Sequence, residues 1–134
     1  MTPGYWLIKF APFRTSWTEI LARGSFTLRG IRSPEARKHL RAMRLGDQVL
    51  FYHSQQDQAV VGVMEVTREA CSDPTSADPQ WLTCDFRALR SLPRPIPRPE
   101  LLAHPGLTEF LLLRRPRLSV MPVTPREFAT IVDL

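Results

Sequence analysis

The sequence lacks long apolar runs and an export signal. No apolar run approaches the ~20 residues that a transmembrane helix needs, which argues against a helical membrane protein. The opening stretch, MTPGYWLIKF, has neither the charged leader nor the long apolar segment of a signal peptide and predicts a first strand instead. We therefore expect a soluble, cytoplasmic protein with no membrane partner.

Residues and motifs typical of metal sites and enzymes are scarce. Cys71 and Cys84 are the only cysteines, so they form no second pair for a metal site or a disulfide framework, and both are predicted to be free thiols. The three histidines do not have the spacing of metal ligands. No G-x-S-x-G, phosphate-binding glycine loop or HExxH occurs, and His53 and Ser54, as neighbours on a strand, point to opposite faces. The sequence thus predicts no metal and no cofactor, and it favours a binding module over an enzyme.

Lysine is nearly absent, yet the chain is basic. The formal net charge is +5, and every cationic side chain except Lys9 and Lys38 is an arginine. Guanidinium groups suit phosphates and base edges, so the charge permits a nucleic-acid partner. It does not require one, since arginine excess also follows from genome composition. The 134 residues predict one domain, residues 1–134, and we expect a monomer.

The first half of the chain predicts a strand and two capped helices. Residues 5–9 are rich in β-formers, and residues 16–19 spell a capping box that opens a short helix closed by Gly24. Ser33 and Pro34 predict the start of a second helix, which we expect to end at Gly46. Its apolar stripe consists of Ala36, Leu40 and Met43. A neighbouring row, Arg37, Arg41 and Arg44, is either a solvated face or a ridge that follows phosphates.

The second half predicts an antiparallel sheet. Residues 48–54 and 59–69 have the pattern of a hairpin, in which Gly62 marks a bulge or a close approach to the backbone. A further strand follows from residue 82, with Leu82, Cys84, Phe86 and Ala88 on one face. The four prolines of residues 92–100 predict an extended connector, not a central strand, leading into a short helix near residues 100–103.

The C-terminal part predicts a strand and a helix. Residues 111–123 have the composition of a final strand region, interrupted at Pro116, and residues 124–127 form a second capping box that opens the last helix. The whole pattern predicts an α+β fold, a mostly antiparallel, curved sheet or small barrel with short peripheral helices.

Several groups that bind flat heterocycles gather at predicted strand ends. Aromatic faces stack on such rings, and nearby hydroxyl, imidazole and backbone groups read their edges. These residues are Trp6, Lys9, Phe10, Tyr52, His53 and Ser54.

The order of several segments resembles the EVE domain family, a branch of the PUA-like superfamily related to YTH and ASCH domains. The segments are YWLIKFAP, GIRSPEAR, LRAMRLGDQVLFYHS, VVGVMEV, DPTSADPQW, LPRPIP and RLSVMPVTPREF. The resemblance implies a PUA-like pseudo-barrel with a pocket for a flipped, modified base, with modified cytosine in DNA as the favoured ligand and RNA as an alternative carrier.

The resemblance also extends the candidate site. Together with the strand-end residues, the ligand-binding set becomes Trp6, Lys9, Phe10, Gly30, Ile31, Arg32, Ser33, Tyr52, His53, Ser54, Arg117, Leu118 and Ser119. Candidate contacts to the nucleic-acid backbone are Arg29, Arg32, Arg37, Arg41 and Arg44. The chain departs from the family pattern at Phe10, Leu28, Ser33 and Met121, where the family usually has serine, tryptophan, asparagine and glutamine.

Two other functions fit the sequence. The first is a hydrolase acting on a modified nucleoside, in which Lys9 works with an acidic partner that the sequence does not identify. The second is an interaction or scaffold domain whose pocket has closed, with Phe10 packed into the cavity.

Overall fold

The computed structural model describes residues 4–29, 31, 33–55, 57–73, 76–78 and 81–134. They form one six-stranded sheet with the strand order β2-β5-β4-β3-β1-β6. The strands are β1 (Tyr5–Phe10), β2 (Ser25–Leu28), β3 (Gln48–His53), β4 (Ala59–Ser72), β5 (Leu82–Pro97) and β6 (Val120–Val123). The helices are α1 (Trp17–Arg23), α2 (Pro34–Ala42), α3 (Arg98–Ala103), α4 (Leu111–Arg114) and α5 (Pro125–Val132), with a 3-10 turn at Pro105–Leu107.

The sheet is mixed and open. β1 pairs in parallel with β3, whereas the other four pairings are antiparallel. The predicted α+β class and the mostly antiparallel sheet are confirmed. β2 and β6 form the two edges of the described sheet, so this sheet is open and does not close into the predicted barrel. Register shifts along β4 and β5 mark bulges, which bend strands and increase their twist.

Local capping signals place the helices as predicted. Ser16 and Thr124 each form a reciprocal capping box with the glutamate three residues later, and Gly24 closes α1 with a φ of +79°. Ser33 caps α2. The predicted end of α2 at Gly46 is wrong, because the helix stops at Ala42 and Gly46 lies in the turn that follows.

Two other predicted elements are corrected. Residues 92–97, predicted to be a connector outside the sheet, continue β5 and pair with β4 through Ala59 and Val60. Prolines are tolerated here because β2 covers β5 only at Cys84–Arg87, which leaves this end of the strand without a second partner strand among the described residues. The first part of the predicted final strand region is a helix, α4, and only Val120–Val123 is a strand.

The core lies between the sheet and its helices. The predicted α2 stripe of Ala36, Leu40 and Met43 is fully buried, as are Cys84 and Phe86 of β5. Both predicted roles of Gly62 are confirmed. It lies at a register shift, and a Cβ at this position would come within 2.1 Å of the Trp17 ring. Within the described part of the chain, no helix is long and apolar enough to cross a membrane.

Candidate functional site

A cleft of about 470 Å³ opens beside the ends of β1 and β3. This volume falls in the range of roughly 300–1,000 Å³ found for small-molecule sites. Its lining residues are Lys9, Tyr52, Ser54, Gln55, Gln58, Arg98, Leu112, Pro116, Arg117, Leu118 and Ser119. Six of the predicted ligand-binding residues therefore line one cleft: Lys9, Tyr52, Ser54, Arg117, Leu118 and Ser119.

The parallel pairing of β1 with β3 builds one wall of the cleft. It places Lys9 opposite Tyr52 in register. The Ser54 N–H donates to the Phe10 carbonyl over 2.9 Å and so extends the pairing one residue beyond β3. On the other side of β1, the Lys9 N–H donates to the Ser119 carbonyl over 2.9 Å. Backbone bonds thus fix three residues of the cleft relative to each other.

The segment between α4 and β6 builds the opposite wall. The Lys9 ammonium donates to the Pro116 carbonyl over 2.6 Å, and the Leu118 N–H donates to the Arg115 carbonyl over 3.0 Å. Leu112 and Leu118 line the cleft and are almost completely buried, so each offers it only a small apolar surface. The cleft therefore combines apolar surface with amide, hydroxyl and cationic groups.

The electrostatics of the cleft are one-sided. Its described lining contains Lys9, Arg98 and Arg117 but no aspartate or glutamate. Burial lowers the pKa of the Lys9 ammonium, and the Arg98 charge lowers this pKa further. Burial raises the pKa of the Tyr52 phenol, although Arg98 opposes that shift. Tyr52 consequently keeps its proton at neutral pH and can both donate and accept a hydrogen bond.

Trp6, a predicted ligand contact, has a structural partner. Its Nε1–H donates to the Asp47 carboxylate over 2.9 Å. The same buried carboxylate accepts the Gly4 N–H over 2.8 Å and the Arg44 N–H over 2.9 Å. Trp6 does not line the cleft and instead helps to join β1 to the turn before β3.

His53 and Phe10 also lie away from the cleft. His53 Nε2 accepts the Trp17 backbone N–H over 3.0 Å, on the face opposite Ser54, as the alternation of a strand requires. Phe10 packs against Phe26, with ring centroids 5.2 Å apart, and more loosely against Phe51. Since Phe10 does not fill the cleft, the structure gives no support to a closed pocket.

The other departures from the family pattern leave the cleft open as well. Leu28 and Met121 are fully buried in the core. Ser33 lines a second cavity of about 350 Å³, which shares the wall of Pro116, Arg117 and Leu118 with the cleft. Ile31 is partly buried against the core, and Gly30 and Arg32 lie outside the described residues.

The arginines predicted to contact the nucleic-acid backbone do not form one continuous row. The Arg44 guanidinium donates to the carbonyls of Arg41 and Met43 over 2.7 and 3.0 Å, so it folds over the end of α2. Arg41 is exposed and Arg37 is half-buried. Arg29 lines a separate cavity with Arg23.

Sequence reasoning missed five residues of the cleft. These are Gln55, Gln58, Arg98, Leu112 and Pro116. Gln55 and Gln58 lie in a polar turn that carries no local sign of a site. Arg98 reaches the cleft because its backbone N–H donates to the Gln58 carbonyl over 3.0 Å, a contact 40 residues distant that no local pattern predicts.

Comparison with known proteins gives one family and several close folds. The family model for the EVE domain matches residues 4–134. Thymocyte nuclear protein 1 of Gallus gallus is 34% identical over 128 residues, which cover 78% of this chain and 53% of that protein. The chain thus spans about half the length of that relative.

Solved structures extend the comparison. A crystal structure of a protein from Agrobacterium tumefaciens has a TM-score of 0.94 at 37% identity, covering 97% of this chain and 91% of that one. Human THYN1 protein in complex with 5-methylcytosine-containing DNA has a TM-score of 0.85 at 29% identity, covering 97% and 96%. The ASCH protein of Zymomonas mobilis, with a TM-score of 0.59 at 13% identity and coverage of 98% and 95%, shares the fold.

Proposed function

The chain belongs to the EVE domain family, and on this premise we propose that it is a nucleic-acid-binding module whose cleft receives a flipped, modified base, with modified cytosine as the favoured ligand. The observation that carries the proposal is the open cleft of about 470 Å³, lined by Tyr52, Ser54 and Leu118. The human relative was solved with DNA that contains 5-methylcytosine, so DNA is the first carrier to test and RNA the second.

The chemistry of the cleft suits a base taken out of its stack. Flipping costs a few kcal/mol, roughly what stacking returns at about 1–3 kcal/mol per base. The Tyr52 side chain lines the cleft but is almost completely buried, whereas the amides of Gln55 and Gln58 can both donate to and accept from a base edge. A methyl group on the base would find apolar neighbours in Leu112 and Leu118.

The hydrolase alternative lacks a partner for Lys9. The Lys9 ammonium is held by the Pro116 carbonyl, and the described lining of the cleft contains no carboxylate that could share a proton with a substrate. General acid–base chemistry requires such a group within hydrogen-bond reach. Binding without turnover is therefore the function that the geometry favours.

Fluorescence anisotropy with matched oligonucleotides tests the proposal. Labelled DNA and RNA oligonucleotides that differ only in one cytosine, either unmodified or carrying one of several modifications, with 5-methylcytosine first, are titrated at several salt concentrations. We expect the modified oligonucleotide to bind more tightly, and both affinities to fall with salt because cations on the protein release counterions from phosphates. Equal affinity for every cytosine modification tested, in DNA and in RNA, would contradict the proposal.

A matched pair of variants assigns the preference to the cleft. Ser54→Phe places an aromatic ring in the cleft, whereas Ala129→Phe adds the same ring to an exposed position of α5. The first variant should lose the preference for modified cytosine while keeping salt-sensitive binding. The second should behave like the wild type. A preference that survives Ser54→Phe would place the base elsewhere.

A further inference from the structure

The arginines of the cleft differ from several other arginines of this chain, which are paired with acidic side chains. Arg87, Arg94 and Arg115 are paired with Glu65, Glu100 and Glu35. Arg68 and Arg23 are paired with Asp85 and Glu19 in the same way. In the part of the chain that the structure describes, Arg98 and Arg117 make no side-chain ion pair of this kind.

Hydrogen bonds anchor two of the three cationic residues of the cleft. The backbone of Arg98 is tied to Gln58, and the Lys9 ammonium is tied to the Pro116 carbonyl, one residue before Arg117. Lys9 is partly buried, and the charge of Arg98 lowers the pKa of its ammonium, because the two cations repel each other. Holding like charges together in a partly desolvated site costs free energy unless a negative charge joins them.

Recognition of a neutral ligand does not explain why three cationic side chains line the cleft. Methylated cytosine carries no formal charge, so stacking and edge hydrogen bonds account for its recognition without three cations. A phosphate or a carboxylate, in contrast, accepts charge-assisted hydrogen bonds from guanidinium and ammonium groups. Arg117 also lines the second cavity, so it lies where a nucleic-acid backbone could pass from one cavity to the other.

We propose that Lys9, Arg98 and Arg117 form an oxyanion subsite inside the cleft. The inference rests on the proposed function and adds to it that the bound nucleotide places an anionic oxygen group beside the base. This group is either a phosphate of the flipped nucleotide or a carboxylate carried by the modified base. Arg98, the first residue of α3, is the residue on which the subsite depends most, because its charge acts on both Lys9 and Tyr52.

Small ligands separate the two sources of the anion. Isothermal titration calorimetry at low salt compares 5-methyl-2′-deoxycytidine with its 5′-monophosphate, its 3′-monophosphate and 5-carboxy-2′-deoxycytidine. We expect at least one anionic ligand to bind about tenfold more tightly than the neutral nucleoside, which is about 1.4 kcal/mol. A gain from a monophosphate assigns the subsite to the backbone, and a gain from the carboxylated base assigns it to the modification.

Charge-matched variants test the residues. Arg98→Gln should reduce the gain to less than about threefold, whereas Arg90→Gln removes the same charge from an exposed position outside the cleft lining and should preserve it. Equal binding of the neutral and the anionic ligands would overturn the subsite and leave base recognition intact. If both variants lose the gain to the same extent, the gain reflects the net charge of the protein. That result would also overturn the subsite.

If none of the nucleosides binds, inorganic phosphate serves as the probe of the subsite. NMR titration with phosphate then follows the side-chain signals of Arg98 and Arg117. Selective shifts of these signals, with the Arg117 shift lost in Arg98→Gln, would support the subsite while base recognition fails. No selective shift would overturn both.

Discussion

At the scale of single residues, the neighbours of a side chain decide its role more than its type does. Trp6, His53 and Tyr52 are all aromatic groups near strand ends and all were predicted to contact a ligand. Only Tyr52 lines the cleft, whereas Trp6 binds Asp47 and His53 accepts the Trp17 N–H. Strand alternation was sufficient to separate His53 from Ser54, but it did not show which of the two faces the cleft. That assignment depends on α1, which lies far from β3 in the sequence.

His53 makes the stability of the protein depend on pH. Burial lowers its pKa, with Asp57 opposing the shift. Because the folded pKa lies below the unfolded value near 6.5, the unfolded state binds more protons between the two values, and stability rises with pH there. The contribution of neutral His53 is therefore complete above about pH 6.5 and is lost as the pH falls through the folded pKa.

Denaturant unfolding of wild type and His53→Gln between pH 5 and pH 8 measures this contribution. The glutamine carbonyl can accept the Trp17 N–H and does not titrate. The advantage of the wild type should shrink in acid, by an amount on the order of 1 kcal/mol for one neutral hydrogen bond. Other groups, including His39, titrate in both proteins and cancel. Parallel pH profiles for the two proteins would show that His53 is not coupled to folding.

At the scale of elements, features that depend on residues close in sequence were predicted correctly, whereas pairings between strands distant in sequence were not. The capping boxes, the Gly24 helix end and the hairpin of β3 and β4 all follow from residues close in sequence. The parallel pairing of β1 with β3 is different, since the chain between them contains α1, β2 and α2. Pairing of residues 92–97 with β4 was missed for a related reason, because proline content gives no information on which strand edge is free.

Packing of α1 against β4 provides a prediction at this scale. Gly62→Ala would bring a methyl group into the Trp17 ring, so we expect a loss of about 1–3 kcal/mol in the free energy of unfolding. In a Trp17→Leu background the same substitution should cost less, because the ring that it meets is gone. Chemical denaturation of the four proteins gives the coupling energy. An equal cost in both backgrounds would place the strain at the β4 backbone and not at the helix contact.

At the scale of the whole molecule, the two cysteines differ in exposure, so their reaction with a thiol reagent tests the folded state. Cys71 is exposed and Cys84 is fully buried. Burial raises the pKa of the Cys84 thiol to about 12, and this thiol also contacts the Arg68 carbonyl. At pH 8 a thiol reagent should therefore modify Cys71 rapidly and Cys84 only at the rate of unfolding. Using Cys71→Ser isolates the slow phase, and rapid modification of Cys84 in that variant would contradict the buried position.

At the same scale, the residues of the cleft separate what the sequence predicted from what it did not. Sequence reasoning, from the strand-end residues and from the resemblance to the EVE domain, located residues of both walls of the cleft, since Lys9, Tyr52 and Ser54 lie on one and Arg117 to Ser119 on the other. It did not include Arg98 or Gln58, whose proximity depends on the pairing of the proline-rich end of β5 with β4. The openness of the cleft was equally beyond sequence, because it depends on where Phe10, Leu28 and Met121 pack.

The proposed function requires the cleft beside Tyr52 to accommodate one modified base. The most direct measurement is NMR of the protein bound to DNA that carries a single 5-methylcytosine with a ¹³C-labelled methyl group. We expect nuclear Overhauser effects from this methyl group to Tyr52, Leu112 and Leu118. A methyl group that stays stacked in the duplex, with no contact to these side chains while the protein is bound, would contradict it.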